Sequence, residues 1–248
     1  MADKKAAILL AAGKGKRMNS DLPKVLHRLN GKPLIRHLLD TITALNFARI
    51  IVVIGHKGEM VIEELKDYQV EFVWQREQLG TGHAVQMAQG LLSDFDGTIL
   101  VAAGDVPFLS SLSINNLLDT HNSNHASATC LTAEFSNPKG YGRIIRQGNS
   151  NILADIVEEK DADETIRQIK EINSAIFCFN SLDLFASLGM VDDNNAQKEY
   201  YLTDTISILR KIGKDCYVWK IADSMEVTGI NSVEELELLE QAIRRKKG

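Results

Sequence analysis

The sequence predicts an α/β protein with a Rossmann-like, doubly wound, mainly parallel sheet and a small antiparallel insert. In the first half, short apolar runs alternate with helical patterns, which is typical of strands that cross over through helices. The runs are apolar throughout, as expected of parallel strands buried on both faces. These runs are Ala6–Ala12, Ile50–Ile54, Val70–Trp74 and Ile99–Ala103.

The first long helix is predicted to open at Pro33, a residue that is favourable in the first turn of a helix. Apolar residues then recur at spacings of three and four, so they fall on one helix face. They are Leu34, Ile35, Leu38, Leu39, Ile42 and Leu45.

After about Ser136 the pattern changes, and a turn cluster at 137–140 precedes short strand-like pieces. We expect these pieces to form an antiparallel insert flanking the sheet. They are Arg143–Arg146, Ile152–Val157 and Ile172–Phe179. Helices are then predicted near Ser181–Leu188 and Thr203–Ile212, followed by a strand at Tyr217–Ile221 and a final helix at 232–248, which Ser232 caps with Glu235 three residues on.

Composition excludes several classes of function. The 248 residues carry a net charge of −5, which argues against nonspecific electrostatic binding to nucleic acid. The N-terminal apolar run is far shorter than the ~20 residues of a membrane span and lacks signal-peptide anatomy, so we expect no membrane association and a cytoplasmic location. Three widely separated cysteines, Cys130, Cys178 and Cys216, indicate neither a disulfide framework nor a thiolate metal site.

A glycine-bearing loop follows the first predicted strand. Gly13 and Gly15 match neither the dinucleotide fingerprint nor the P-loop, so a simple tight turn is an alternative. Cations nevertheless gather here, at Lys14, Lys16, Arg17 and Lys24. Because such a loop presents backbone N–H groups, the cluster favours a polyphosphate ligand.

Asp105 ends another apolar strand, between Gly104 and Val106-Pro107. Ligands of open α/β sheets bind beyond the carboxyl ends of strands. A carboxylate beside a phosphate loop suits Mg²⁺, which combines one or two carboxylates with substrate phosphates. A turn-forming aspartate is the alternative.

Amide side chains accompany a third glycine turn, at Gln75, Gln78, Gly80 and Thr81. An amide offers a donor and an acceptor together, as recognition of a nucleobase edge requires. The spacing alone is weak evidence, since most glutamines are merely solvated.

Six motifs in this order resemble the sugar-nucleotide pyrophosphorylases, over essentially residues 5–245. Within that family the chain most resembles the uridylyltransferase domains of the bifunctional UDP-N-acetylglucosamine pyrophosphorylase/glucosamine-1-phosphate acetyltransferases. The motifs are Leu10-Ala11-Ala12-Gly13-x-Gly15-x-Arg17-Met18 with Leu22-Pro23-Lys24, Gln78-Leu79-Gly80-Thr81-Gly82-His83-Ala84, Gly104-Asp105-Val106-Pro107, Gly140-Tyr141-Gly142-Arg143-Ile144, Glu171-Ile172-Asn173, and Asn194-Asn195-Ala196-Gln197-x-Glu199-Tyr200-Tyr201-x-Thr203-Asp204.

The resemblance implies synthesis of UDP-N-acetylglucosamine and pyrophosphate from UTP and N-acetylglucosamine 1-phosphate, with Mg²⁺ as cofactor. It implies catalytic roles for Arg17, Lys24 and Asp105, with Asp105 and Asn231 as metal ligands. It also implies nucleotide-binding residues, Leu10, Ala11, Ala12, Gly13, Gln75, Gln78, Gly80 and Thr81, and sugar-binding residues, Gly142, Glu158, Asn173, Tyr200 and Thr203. Tyr201 is expected to join the wall of the sugar pocket.

The expected organisation is one nucleotidyltransferase domain. It comprises a nucleotide-binding half (about 1–135), a sugar-binding part (about 136–231) and the C-terminal helix. Two features depart from the family pattern. Lys16 replaces the usual threonine, and the sequence contains no hexapeptide repeat of a left-handed β-helix, so the resemblance implies neither acetyl transfer nor the trimer that this helix builds. A monomer is compatible with this, and the oligomeric state stays open.

The implied chemistry needs no general base, because a phosphate monoester with a second pKa near ~6 is already largely ionised at neutral pH. The six histidines show no metal spacing, and we expect them to have structural or surface roles. Two alternatives remain: a uridylyltransferase for another sugar 1-phosphate such as glucose 1-phosphate, and a non-catalytic sugar-nucleotide-binding protein. A dinucleotide dehydrogenase is disfavoured by the failed glycine fingerprint.

Overall fold

A computed structural model describes residues 4–18, 20–230, 232–237 and 239–240. Its strands are β1 (Lys5–Ala11), β2 (Arg28–Leu29), β3 (Lys32–Pro33), β4 (Arg49–Ile54), β5 (Glu71–Trp74), β6 (Thr98–Ala103), β7 (Ala128–Glu134), β8 (Arg143–Arg146), β9 (Leu153–Val157), β10 (Glu171–Asn180) and β11 (Cys216–Lys220).

The α-helices are α1 (Leu34–Thr43), α2 (Gly58–Glu64), α3 (Thr81–Gln86), α4 (Ser111–Ser123), α5 (Glu164–Arg167), α6 (Ser181–Leu188) and α7 (Asp204–Lys211). Residues 233–237 and 239–240 are also helical, and the N–H of Glu235 donates to Ser232 Oγ at 3.2 Å, as the predicted cap requires. The predicted continuation over 241–248 lies outside the described residues. None of the helices in the described part of the chain is long and apolar enough to cross a membrane.

The main sheet confirms the predicted fold class. Its strand order within the described residues is β11-β7-β10-β6-β1-β4-β5. Parallel pairing joins β1 to β4 and β6, β4 to β5, and β7 to β11, whereas β10 runs antiparallel to β6 and β7. A separate antiparallel pair, β2 and β3, lies beside the sheet.

Helices cover both faces of the sheet, and alternate residues of β1 pack against the helices on opposite faces. Successive strand side chains point to opposite faces. Ala7, Leu9 and Ala11 pack in the cluster with α1, α2 and α4, whereas Ala6 and Ile8 pack in the cluster with α3, α6 and α7. A strand of this kind has to be apolar at every position, which is the pattern that predicted the fold.

The helix expected after Pro33 is confirmed as α1, and five of its six predicted apolar residues are buried. The sixth, Leu45, is partly buried beyond the end of α1. Pro33 itself does not lie in the first turn. It ends β3 and immediately precedes the helix, with ψ at 143°.

The third piece of the predicted antiparallel insert only partly belongs to it. β8 and β9 form an antiparallel pair at the side of the sheet, and the start of β10 pairs antiparallel with β8 at Ile172 and Arg143. The rest of β10 lies inside the main sheet, between β6 and β7. Sequence reasoning missed β7 entirely. Its buried Thr129 and Thr132 interrupt the apolar run, and each is accommodated by a hydrogen-bonding partner, His121 or Glu171.

The prediction that residues 70–74 are buried on both faces is wrong. All four residues of β5 are only partly buried. The reason is position, since β5 is an edge strand and, within the described residues, has a neighbouring strand, β4, on one side only. Local hydrophobicity does not distinguish an edge strand from a central one.

Strand direction decides which residues meet at the upper edge of the sheet. The carboxyl ends of β1, β4, β5 and β6 lie together there, because these strands are parallel. Since β10 runs in the opposite direction, its amino end reaches the same edge. Residues that follow β1 and β6 and residues that begin β10 are therefore brought together.

Candidate active site

The glycine loop follows the end of β1 at the upper edge of the sheet. Gly15 adopts a left-handed φ of +58°, and a Cβ built on it would lie 2.8 Å from Cβ of Lys24. Only glycine satisfies both conditions without strain. Gly13, by contrast, is exposed and has open space where a Cβ would stand.

Lys24 and Asp105 form an ion pair between Nζ and Oδ2. Asp105 is 9% exposed and follows β6. The N–H of Gly104 donates to the carbonyl of Leu10 at 2.9 Å, which fixes this loop against the end of β1. Two predicted catalytic residues, 81 positions apart in the sequence, are thus in contact.

A late segment of the chain also reaches Asp105. The N–H of Ile230 donates to the backbone carbonyl of Asp105 at 3.2 Å. Asn231, the second predicted metal ligand, lies outside the described residues. The structure therefore gives the position of its sequence neighbour and says nothing of Asn231 itself.

Tyr141 belongs to the Gly-Tyr-Gly-Arg motif and was given no role from the sequence. Burial raises the pKa of its phenol, and the negative charges of Glu235 and Asp105 add to the effect while Arg17 opposes it. The phenol is therefore close enough to Asp105 and Arg17, two predicted catalytic residues, for their charges to affect its pKa. Its ring packs edge-on against Phe135 at 4.9 Å.

The Gln75 amide holds the third glycine turn. Gln75 is buried, and its Nε2 donates to the carbonyl of Gly80 at 2.9 Å and lies 3.1 Å from Nδ1 of His83. Gln78 in turn donates through Nε2 to the carbonyl of Gln75 at 3.1 Å. Both predicted amides therefore shape the turn, with their N–H₂ groups engaged by the chain.

The segment at 199–202 packs against the same turn. Tyr200 donates through its N–H to Leu79, and its carbonyl accepts from Gly82 at 2.7 Å. A Cβ on Gly80 would lie 2.5 Å from that carbonyl oxygen, and the φ of Gly80 is +117°. Thr81 Oγ1 accepts a hydrogen bond from the N–H of Leu202 at 3.0 Å. The Thr81 hydroxyl, which is predicted to bind nucleotide, therefore also helps to hold the 199–202 segment against the turn.

Three predicted sugar-binding residues lie together, although they come from separate parts of the chain. A Cβ on Gly142 would stand 3.4 Å from Oε2 of Glu158 and 3.5 Å from Cβ of Asn173. The N–H of Asn173 also donates to the carbonyl of Gly142 at 2.9 Å. β8, β9 and β10 bring them to one point, because Gly142 precedes β8, Glu158 follows β9 and Asn173 lies near the start of β10.

Glu158 lies in a negatively charged environment. Burial raises the pKa of its carboxyl, the hydrogen bond from Thr203 lowers it, and the charges of Asp161 and Glu199 raise it further. Thr203 Oγ1 donates to Oε1 of Glu158 at 3.0 Å and is itself buried. The predicted sugar-side hydroxyl and carboxylate are therefore direct partners.

A buried arginine connects the loops that carry two of the predicted sugar-binding residues. Arg143 is 2% exposed, and its Nη2 lies 2.7 Å from Oε2 of Glu159, the residue after Glu158. Nη1 donates to the carbonyl of Tyr141. The guanidinium thus ties the two loops that carry Gly142 and Glu158. The sequence signal was present in the Gly-Tyr-Gly-Arg motif, but burial could not be read from it.

The residues present fit a magnesium ion held jointly with a phosphate ligand. Within the described residues there is no group of three histidine, cysteine or acidic side chains that could hold a metal alone. Asp105 supplies one hard oxygen donor in a nearly buried position beside a cation. Mg²⁺ typically takes one or two carboxylates and completes its shell with phosphates and water.

Comparisons with known proteins define the class. A crystal structure of UDP-glucose pyrophosphorylase complexed with UDP-glucose superposes with a TM-score of 0.77, covering 98% of this chain and 99% of that one at 16% identity. At that identity the likeness shows the fold alone. The chain belongs to the MobA-like NTP transferase domain family, whose pattern matches residues 7–172.

Curated relatives are more similar in sequence. The bifunctional protein GlmU of Streptococcus mutans is 47% identical over 240 residues, which cover 97% of this chain and 52% of that protein. The protein of the same name in Heliobacterium modesticaldum is 46% identical over 247 residues, covering 98% of this chain and 54% of that one. The chain thus spans about half the length of these relatives.

Proposed function

We propose that this chain is a uridylyltransferase that joins UTP and N-acetylglucosamine 1-phosphate into UDP-N-acetylglucosamine and releases pyrophosphate. The observation that carries the proposal is the meeting of two differently charged regions at the upper edge of the sheet. One, formed by residues 10–17, Lys24 and Asp105, suits a triphosphate, and the other, formed by Gly142, Glu158 and Asn173, suits a polar sugar. The extensive identity to proteins named GlmU supports the same reading.

The phosphate region supplies N–H groups and positive charge. The exposed Gly13 leaves the loop backbone open to a ligand. Lys24 and Arg17 would face the negative charge that develops on the leaving pyrophosphate. Charges fixed before the reaction stabilise the transition state without reorganisation. Arg17 and Lys24 would therefore act by neutralising charge and by orienting the triphosphate.

Asp105 and Asn231 would hold Mg²⁺ together with phosphate oxygens, and the ion would withdraw charge from the reacting phosphates. Asp105 is suited to this part by its near-complete burial and by the loop that fixes its backbone. Lys24, in contact with the same carboxylate, adds a second positive charge at that point.

Proton transfer is not required for the attack. The sugar-phosphate oxygen is already ionised near neutral pH, so catalysis depends on in-line positioning and charge neutralisation. We give His121 no part in the reaction: burial lowers its pKa to about 4, and its Nδ1 lies 3.0 Å from Oγ1 of Thr129 in the core.

The uracil would be received by the turn that Gln75 and Gln78 hold, with Gly80 and Thr81 at its end. The sugar would contact Gly142, Glu158 and Asn173, with Glu158 accepting from hydroxyls and Tyr200 and Thr203 forming the wall. In this proposal residues of about 1–135 bind nucleotide and those of about 136–231 bind sugar, and the segment at 199–202 couples the two through its hydrogen bonds with the turn.

The test is pyrophosphate release by the purified chain with Mg²⁺ and UTP, comparing N-acetylglucosamine 1-phosphate with glucose 1-phosphate. We expect a strong preference for the N-acetyl sugar and no release when Mg²⁺ is chelated. Preference for glucose 1-phosphate would assign a different sugar. If neither sugar supports release while UDP-N-acetylglucosamine still binds, the chain is a non-catalytic sugar-nucleotide-binding protein.

A further inference from the structure

A β-bulge interrupts β10 immediately after Asn173. Pairing between β10 and β7 is regular up to Asn173 and resumes at Phe177, with a shift of register between them. Within the bulge, Ala175 has a left-handed φ of +60°, which is unusual for a residue with a Cβ. Bulges of this kind occur beside active sites, where they redirect a side chain.

The bulge captures the oxygen of the Asn173 side chain. Oδ1 accepts from the N–H of Ala175 at 2.9 Å, and the thiol of Cys130 on β7 lies 3.4 Å from the same oxygen. Asn173 is only 7% exposed. None of the described residues accepts a hydrogen bond from its Nδ2, so the N–H₂ end of the amide is the end available to a ligand.

We infer that the Ala175 N–H and the Cys130 thiol lock the Asn173 amide in one orientation, and that this lock makes the sugar pocket favour a carbonyl-bearing acetamido group over a hydroxyl. Cys130 is thus a positioning residue for acceptor selectivity. The inference rests on the proposed function, since it concerns the sugar 1-phosphate that the same site receives.

The selectivity follows from hydrogen-bond chemistry. A carbonyl oxygen only accepts, so it needs the N–H₂ end of an amide, whereas a hydroxyl both donates and accepts and pairs with either end. A locked amide therefore serves the acetamido carbonyl at all times. An amide free to rotate would present Oδ1 for part of the time, which repels a carbonyl and still accepts from a hydroxyl.

Cys130 is well suited to remain a donor. It is buried on β7, and burial together with the charges of Glu171 and Glu158 raises the pKa of its thiol well above the ordinary value. The thiol therefore stays protonated. Its single proton is shared with the carbonyl of Leu131, 3.3 Å away, so Cys130 supplies part of the lock and the backbone N–H of Ala175 supplies the rest.

The chain offers a matched control in Cys178. It is also fully buried in the core, but it lies on β10 beyond the bulge and packs in the cluster on the opposite face of the sheet from Cys130. Cys178→Ala removes the same atoms from the core without touching Asn173. Cys130→Ser keeps a hydroxyl donor in place of the thiol.

The experiment measures kcat and KM for both sugar 1-phosphates in the parent chain, Cys130→Ala, Cys130→Ser and Cys178→Ala, together with melting temperatures. We expect Cys130→Ala to lower the preference for the N-acetyl sugar by about three- to fivefold, through its KM, with kcat nearly unchanged. Cys130→Ser should restore the preference, and Cys178→Ala should keep it despite a similar loss of melting temperature.

Equal preference ratios in Cys130→Ala and Cys178→Ala would overturn the inference, and so would a loss of preference that Cys130→Ser fails to restore. Failure of the proposed function looks different, because the parent chain would then release no pyrophosphate with either sugar. Asn173→Asp gives a further check. Its carboxylate can still accept from Ala175 but has no N–H₂, so turnover with the N-acetyl sugar should fall more than turnover with the glucose compound.

Discussion

The two parts of the candidate site to which we assign the phosphates and the sugar, called the phosphate side and the sugar side, differ in charge, exposure and origin. The phosphate side is built from one short stretch, residues 10–24, plus Asp105, and its Arg17 and Lys14 are exposed cations. The sugar side combines loops from three strands and is rich in carboxylates, including Glu158, Asp161 and Asp204. A polyphosphate needs positive charge, whereas sugar hydroxyls are recognised by acceptors, so the asymmetry suits a substrate pair with these two chemistries.

The two sides also differ in what determines their geometry, and therefore in how they should respond to substitutions. Geometry on the phosphate side depends on backbone conformation, as the φ of Gly15 illustrates. Geometry on the sugar side depends on hydrogen bonds among buried side chains, such as that from Thr203 to Glu158. Changes on the two sides should therefore affect different kinetic parameters.

The largest effect is expected from Asp105→Ala. It removes the only carboxylate that we assign to the metal, together with its ion pair to Lys24. We expect kcat to fall by about 100-fold or more while KM for the sugar 1-phosphate changes little. Steady-state kinetics at fixed Mg²⁺ measure both quantities. Asp119→Ala, which removes an exposed carboxylate from α4, is the control, and near-normal turnover in Asp105→Ala would remove the metal assignment.

A pair of alanine substitutions in the glycine loop should separate strain from ligand contact. Gly15→Ala forces a left-handed alanine against Lys24, so we expect a loss of about 1–3 kcal/mol in stability and a roughly tenfold higher KM for UTP. Gly13→Ala has open space for its Cβ and should keep the parent melting temperature. Thermal unfolding and UTP titration check this, and equal melting temperatures for the two variants would contradict it.

A smaller effect, confined to the sugar side, is expected from Thr203→Val. The hydrogen bond from Thr203 lowers the pKa of Glu158, so its removal raises that pKa further and reduces the ionised fraction at mildly acidic pH. KM for the sugar 1-phosphate should rise about threefold near neutral pH and more as the pH falls, with KM for UTP unchanged. Thr203→Ser keeps the hydroxyl and should behave as the parent. A pH-independent change, or one shared by UTP, would count against the assignment.

The last effect concerns stability and leaves the kinetics of both sides aside. Burial and the charges of Asp155, Asp192, Glu158 and Asp161 raise the pKa of Asp204 to about 6. The folded chain then binds this proton more tightly than the unfolded chain, so ionised Asp204 costs stability above about pH 6, and the cost declines as the pH falls toward the ordinary carboxyl value.

Asp204→Asn should therefore stabilise the chain by about 1–2 kcal/mol near pH 7.5, after allowance for solvent screening, and by much less near pH 4. Denaturant unfolding at the two pH values measures the difference. Asp119→Asn, at an exposed position in α4, should give no such pH-dependent gain. If Asp204→Asn raised the free energy of unfolding equally at both pH values, the ionised Asp204 carboxylate would not be the cause of the stabilisation.

The sequence by itself determined the elements whose signals are local. The apolar runs of β1, β4 and β6 and the one-sided pattern of α1 report burial directly, because a strand or helix between two layers needs apolar residues at fixed spacings. The glycine loop and Asp105 were also visible, since each follows the end of a strand, and Lys24 was visible as one of the cations near that loop. Their role still needed the resemblance, because spacing alone left a tight turn open.

Only the tertiary structure decided the rest, since it depends on pairing between distant segments. That β10 lies inside the sheet, that β5 is an edge and that β7 tolerates two threonines follows from strand neighbours, which no local pattern encodes. The contact of Lys24 with Asp105 and the capture of Asn173 by Ala175 and Cys130 have the same origin. The local sequence indicates which segments form apolar strands, helices and turns. Hydrogen bonds and ion pairs between remote residues form only when the sheet has fixed the order and direction of its strands.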